Sequence, residues 1–216
     1  MALVLMEGTT VVAERKMKFR SIEIDNDILN KSLFEFTQPA DVKGTKLLSW
    51  LHKKDEKSQW IYLPSLNKSR RILASSQNSS FMGSEFTYDD IGGQNTSKYN
   101  YKLLSESKRG VDVIWKLEQT SKDSNIKDYQ IITINKSFMN PEAVEYYNSK
   151  KELVKSSKIE DFTSYKVNGK NIFRPKKISM KNVQNNKESL FQWEKREFGT
   201  KQKESDFTAQ ALDVKK

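Results

Sequence analysis

The sequence predicts a mainly β protein built on antiparallel pairing, and three observations predict it. Short runs with apolar residues at every second position recur along the whole chain, which is the period of a half-buried strand. Turn-forming residues fall between those runs, at Gly8, Gly44, Gly110, Asn168-Gly169 and Asn185-Asn186. Apolar residues at helical spacing stand out only near the end, over Asp206–Val214. An open sheet, a sandwich and a barrel all satisfy this pattern.

Each element has its own local reason. Residues 2–19 read as a hairpin turning at Glu7-Gly8-Thr9. Its second strand, Val11 to Phe19, places Val11, Ala13, Met17 and Phe19 on one face, with Arg15 interrupting it. Leu33 to Thr37 is a short strand ended by Gln38-Pro39. Thr45 to His52 follows Gly44. A charged loop, Lys53 to Lys57, leads into Gln59 to Leu63, which Pro64 stops because proline cannot donate to a ladder. Lys98 to Leu104 and Val111 to Thr120 pair across residues 106–110. In the second of these, Val111, Val113, Trp115 and Leu117 alternate with Asp112, Ile114, Lys116 and Glu118. Tyr129 to Lys136, Val144 to Asn148, Leu153 to Lys158, Ile172 to Met180 and Ser189 to Phe198 continue the meander. Residues 199–206 form a polar tether to the terminal helix, whose Phe207, Ala211 and Val214 share one side. No linker divides the chain, so residues 1–216 read as a single domain.

Composition removes whole classes of function. The 23 aromatic residues (4 Trp, 8 Tyr, 11 Phe) are too many for a disordered chain despite a mean hydropathy of −0.77. There are no cysteines, which excludes disulfides, cysteine-ligated metals and thiol nucleophiles. His52 is the only histidine, so a multi-histidine metal site cannot exist and any serine triad must use it. The longest apolar run, Ala2 to Met6, is far short of the roughly 18 residues a membrane helix needs.

Candidate chemistry is sparse. Lys+Arg exceeds Asp+Glu by 38 to 28, a net charge of +10. The lysines nevertheless alternate with acids, Asn and Ser instead of forming blocks, which reads as a solvated outer face, with an anionic membrane surface as the next partner and nucleic acid not expected. His52, at a strand end beside Lys53 and Lys54, reads as a surface residue. Asp89-Asp90 is turn or cap chemistry, since calcium needs six or so oxygens. Of Arg70-Arg71, at most one can face inward on a strand. Gly92-Gly93 lacks the lysine and spacing of a phosphate loop. No catalytic residue, metal ligand or cofactor is expected. The informative stretch is 45–91, where a polar run, Ser75 to Ser80, turns abruptly aromatic at Phe81-Met82. That is either the cover of an ordinary core or a flap over an apolar cavity.

Motifs in this stretch occur in a fixed order. Gln38-Pro39-Ala40-Asp41-Val42-Lys43-Gly44-Thr45 is followed by Gln59-Trp60-Ile61-Tyr62-Leu63-Pro64, then Arg70-Arg71-Ile72, then Phe81-Met82-Gly83-Ser84-Glu85-Phe86-Thr87-Tyr88-Asp89-Asp90. The set resembles the bacterial outer-membrane lipoprotein-sorting family, the LolA/LolB-like group found beside RND-type exporters. The likeness is dense over about residues 10–95 and looser to the end of the chain, around Tyr146-Tyr147 and Phe207 to Leu212.

The resemblance implies a curved antiparallel sheet forming an incomplete half-barrel with a few short helices. Its apolar cavity would hold lipid or lipoprotein acyl chains, in a monomeric, non-enzymatic periplasmic carrier whose signal peptide has been removed. The expected ligand-binding residues are Phe34, Phe36, Leu48, Trp50, Trp60 and Tyr62 on successive strands, with Phe81 and Met82 as a flap; plain core is the competing reading for each. An accessory subunit that docks on an RND-type exporter and carries nothing is the alternative.

Overall fold

The computed structural model describes residues 1–24, 27–54 and 57–213. Its elements are overwhelmingly strands: β1 (Ala2–Glu7), β2 (Thr10–Glu23), β3 (Ile28–Gln38), β4 (Lys46–His52), β5 (Ser58–Leu63), β6 (Lys68–Ile72), β7 (Tyr99–Arg109), β8 (Asp112–Ser121), β9 (Tyr129–Asn135), β10 (Asn140–Tyr147), β11 (Leu153–Glu160), β12 (Thr163–Val167), β13 (Lys170–Arg174), β14 (Lys177–Asn182) and β15 (Lys187–Gln192). A 3-10 turn at Glu204–Phe207 and the short helix α1 (Ala209–Leu212) close the described chain. Two further 3-10 turns lie at Ala74–Ser76 and Thr96–Lys98.

Thirteen strands hydrogen-bond in the order β6-β5-β4-β3-β2-β1-β15-β14-β11-β10-β9-β8-β7, and β12 pairs with β13 in a separate ribbon. Neighbours in sequence are mostly neighbours in the sheet, as expected for hairpin connections. The order is open, with β6 and β7 at its two ends, so the sheet is not closed into a barrel. The mainly β, antiparallel fold class expected from the sequence is what the chain adopts.

Several strands differ from the sequence expectation, each for a local reason. The strand expected over Ile172 to Met180 is broken at Pro175, which has no N–H, into β13 and β14. β7 continues through the charged residues 105–109, because its partner β8 supplies a ladder as far as Asp112. Val111 is 99% exposed at that hairpin tip, beside Gly110 at φ +62°. β15 stops at Gln192, short of Phe198. β6 and β12 are short and polar, and alternation gave no sign of them.

The chain forms two compact units. The first comprises residues 1–4, 13–95 and 199–216, and the second residues 5–12 and 96–198. In the first, β3, β4 and β5 carry a core on each face. Leu33, Leu48 and Tyr62 are buried on one side, and Phe34, Phe36 and Leu47 on the other. In the second, the register sets Leu117, Ile132, Val144, Ser157 and Met180 in one cross-strand row, of which Ser157 and Met180 are buried. Among the described residues no helix is long and apolar enough to cross a membrane.

Candidate functional site

Strand register decides which side chains of the first unit meet. Leu33 pairs with Leu48, Leu48 with Trp60 and Trp60 with Arg71. Lys31 pairs with Trp50, and Lys46 with Tyr62. Directly opposed residues share a face and neighbours along a strand do not. One face therefore carries Leu33, Leu48, Trp50, Trp60 and Tyr62, with Lys31, Lys46 and Arg71 among them. The other carries Phe34 opposite Leu47, together with Phe36, Ser49 and Gln59.

The polar-then-aromatic stretch covers this second face. Phe81 is fully buried, its ring 6.4 Å from Phe34, 5.9 Å from Phe36 and 5.6 Å from Tyr88. Backbone carbonyls of the stretch are claimed by sheet side chains. The Gln59 amide donates to the Tyr88 carbonyl at 2.8 Å, and the buried Lys57 ammonium to the Ile91 carbonyl at 3.1 Å. Gly92, at φ +87°, lies so close to Ser49 that a Cβ there would fall 2.5 Å from the serine Cβ. Met82 has φ +52°, and its carbonyl accepts a hydrogen bond from Arg15, which explains why an arginine interrupts the apolar side of β2.

The expected lining residues thus do not form one surface. Leu48, Trp50, Trp60 and Tyr62 share a face, whereas Phe34, Phe36 and Phe81 pack together on the opposite one, and Phe81-Met82 belongs to a packed cover. Phe34 and Phe36 are expected beside Leu48 in the lining. The ladder pairs Phe34 with Leu47 instead, and a one-residue difference in register moves a side chain to the other face.

The tryptophan face is occupied by the C-terminal segment. Phe207 and Leu212 are fully buried against Leu33, Leu48 and Tyr62, with Ile22, Trp50 and Trp60 packed around them. The Trp50 indole N–H donates to the Phe207 carbonyl at 2.8 Å, and the Lys46 ammonium to the Leu212 carbonyl at 3.2 Å. Ion pairs join the segment to the sheet: Lys31 to Glu204 at 2.7 Å and Arg20 to Asp206 at 3.4 Å. Asp213 accepts from the Ser69 backbone N–H at 2.7 Å and from its hydroxyl at 3.2 Å. The expected helix contracts to a 3-10 turn and one α turn, so Leu212 replaces Ala211 as the buried residue; Val214 lies outside the described residues.

Beside the segment the face stays open. A cleft of about 690 Å³ lies between it and the β3–β4 connection, with Leu33, Tyr62, Pro64 and Leu212 in its apolar wall and Arg20, Lys43, Lys46, Glu35 and Asp206 as its charged groups. Arg20, Lys31, Lys46 and the acidic tail had no signature in the sequence, because their meeting depends on residues about 170 positions apart.

The other candidates resolve simply. His52 Nε2 is 3.0 Å from Ser58 Oγ and its ring is 6.4 Å from Trp50. Asp90 accepts from Thr87 N–H and hydroxyl in a turn, and Asp89 pairs with Lys57 at 3.3 Å. Arg71 lies 6.0 Å over the Trp60 ring. Among the described residues no group of three or more His, Asp or Glu is placed to hold a metal. In the second unit, Arg109 grips Glu142 in a bidentate pair at 2.6 and 2.8 Å and holds its carboxyl below the usual range.

Residues 29–214 match a family model described only as an uncharacterized protein. No curated protein matches. Among solved structures, a putative outer membrane lipoprotein-sorting protein domain from Vibrio parahaemolyticus is 29% identical over 99% of this chain and 89% of its own, with a TM-score of 0.89. A DUF1329 family protein from Desulfovibrio piger is 26% identical over 98% and 88%, at 0.86. A LolA superfamily protein from Nitrosomonas europaea is 20% identical over 96% and 87%, at 0.68, and shares the fold.

Proposed function

Because the chain belongs to this family of uncharacterized proteins, and shares its fold with a lipoprotein-sorting domain and a LolA superfamily protein, we propose that it is a non-enzymatic carrier of lipid or lipoprotein acyl chains in the periplasm. The observation that carries this reading is the tryptophan face of the first unit. Leu48, Trp50, Trp60 and Tyr62 share one face, packed beneath the C-terminal segment with Lys31, Lys46 and Arg71 among them, and beside that segment a cleft of about 690 Å³ reaches Leu33 and Tyr62. That volume is within the roughly 300–1,000 Å³ of small-molecule sites.

The physical reasoning is direct. Each methylene moved from water to such a surface gains about 0.8 kcal/mol. A sheet accepts a chain along its face without losing ladder hydrogen bonds. Two indoles and a phenol offer broad, non-directional contact, which suits a cargo that must also leave. Phe34, Phe36, Phe81 and Met82 support the opposite face and act on binding only through the stability of the sheet.

Native mass spectrometry of protein purified from a bacterial periplasm tests the reading. Co-purified lipid is expected, and so is uptake of a fluorescent fatty acid that falls when Trp60 is replaced by Gln. Lipid-free protein that takes up no fatty acid would refute it.

A further inference from the structure

The cations of the tryptophan face point to the class of ligand. Lys31 is only 4% exposed. Its partners are the Glu204 carboxylate at 2.7 Å and the Trp50 ring, whose centroid lies 4.3 Å from Nζ. Arg20 lies 5.8 Å from the Phe207 ring centroid and pairs with Asp206, and Lys46 lies 5.2 Å from the Tyr62 ring centroid and donates to the Leu212 carbonyl. The carboxylates on Lys31 and Arg20 and the carbonyl on Lys46 thus come from residues 204–212, alternating with the apolar Phe207 and Leu212, while Glu35 stands opposite Lys46 on the neighbouring strand. The segment is an acid-and-hydrocarbon pattern laid on a cation-and-aromatic pattern.

A bare hydrocarbon could replace Phe207 and Leu212 but not Glu204 and Asp206. It would leave Lys31 buried without a counter-charge, and an unpaired buried cation is strongly unfavourable. A ligand that displaces the segment must bring its own anion. The open cleft beside it sets Arg20, Lys43 and Lys46 against Glu35 and Asp206, so a headgroup entering there meets an excess of one positive charge before its chain reaches Leu33 and Tyr62.

We propose that this face binds single-chain amphiphiles with an anionic headgroup, in competition with the chain's own residues 204–212. The inference rests on the lipid-carrier reading and narrows it. Lys43 and Lys46 receive the headgroup, Arg20 and Lys31 hold it once the segment lifts, and the tryptophans hold the acyl chain.

Calorimetric titration of the full chain with oleate, lysophosphatidylglycerol, lysophosphatidylcholine and monooleoylglycerol tests it. The two anionic ligands should bind on the order of 10-fold tighter than the zwitterionic and neutral ones, the gain typical of a charge-assisted contact. Lys43→Gln, on the surface, should lower only the anionic affinities. Glu204→Gln with Asp206→Asn, which keeps Phe207 and Leu212 in place, should raise them. Equal affinity across all headgroups overturns the charge assignment while leaving the carrier reading intact. Anionic affinities unchanged or lowered in the tail variant overturn the competition. No binding of any amphiphile defeats the carrier reading itself, and this proposal with it.

Discussion

At the scale of single residues, the backbone and the hydrogen bonds make the sharpest predictions. Gly92 combines φ +87° with a Cβ position 2.5 Å from Ser49 Cβ, so Gly92→Ala must both strain the backbone and push the cover off β4. It should cost at least about 2 kcal/mol in urea unfolding. Gly110 has φ +62° and open space around it, so Gly110→Ala should cost only about 1 kcal/mol. Equal losses would show that the Ser49 contact is immaterial. Trp50→Phe keeps most of the ring but removes the donor to the Phe207 carbonyl, and should cost about 1 kcal/mol by the same measurement. Glu142 contributes through pH. Arg109 first, and then Asn135, hold its carboxyl below the ordinary value. A depressed folded pKa gives stability that is complete above the unfolded value of about 4.3 and is lost as pH falls through the lower folded one. Stability should therefore decline on acidification below about pH 4.3, through the lower folded value, and Glu142→Gln should flatten the decline in denaturant titrations run at stepped pH.

At the scale of elements, two segments with only single helical turns of their own secure the faces of one sheet. Residues 74–95 seal Phe34 and Phe36 beneath Phe81, and residues 204–213 seal Leu33 and Leu48 beneath Phe207 and Leu212. The sequence made both segments visible but not their work. The abrupt switch from Ser75–Ser80 to Phe81 marked a cover whose face could not be chosen, and the Phe207–Ala211 spacing marked an amphipathic end whose partner was a strand 170 residues away. Their energetics should differ in one respect. Phe81→Ala removes a fully buried ring and should cost roughly 3–5 kcal/mol. Leu212→Ala should cost about 2 kcal/mol or more but, unlike Phe81→Ala, should also increase fatty-acid uptake, because it loosens the occupant of the binding face. Chemical denaturation read beside a fluorescent fatty-acid titration separates the two effects.

At the scale of the whole molecule, the net charge of +10 is distributed, not concentrated, and pairs such as Lys177–Asp161 and Lys187–Glu7 tie part of it down. The remainder should draw the protein to anionic vesicles. Co-sedimentation with phosphatidylglycerol vesicles should exceed that with phosphatidylcholine and should fall steeply as salt rises toward about 1 M, where the screening length shrinks to roughly 3 Å. Salt-insensitive sedimentation would attribute membrane attachment to apolar contact instead. The antiparallel β class, the turns at Gly8, Gly44, Gly110, Asn168-Gly169 and Asn185-Asn186, and the exclusion of thiol and multi-histidine chemistry were determined by the sequence alone, because alternation and turn residues act over a few positions and composition is absolute. Tertiary structure alone decided that Trp50 and Trp60 face one way and Phe34 and Phe36 the other, and that Lys31 meets Glu204. Register is a property of two strands together, and a one-residue difference in it, which leaves each strand's own pattern unchanged, turns every side chain to the opposite face.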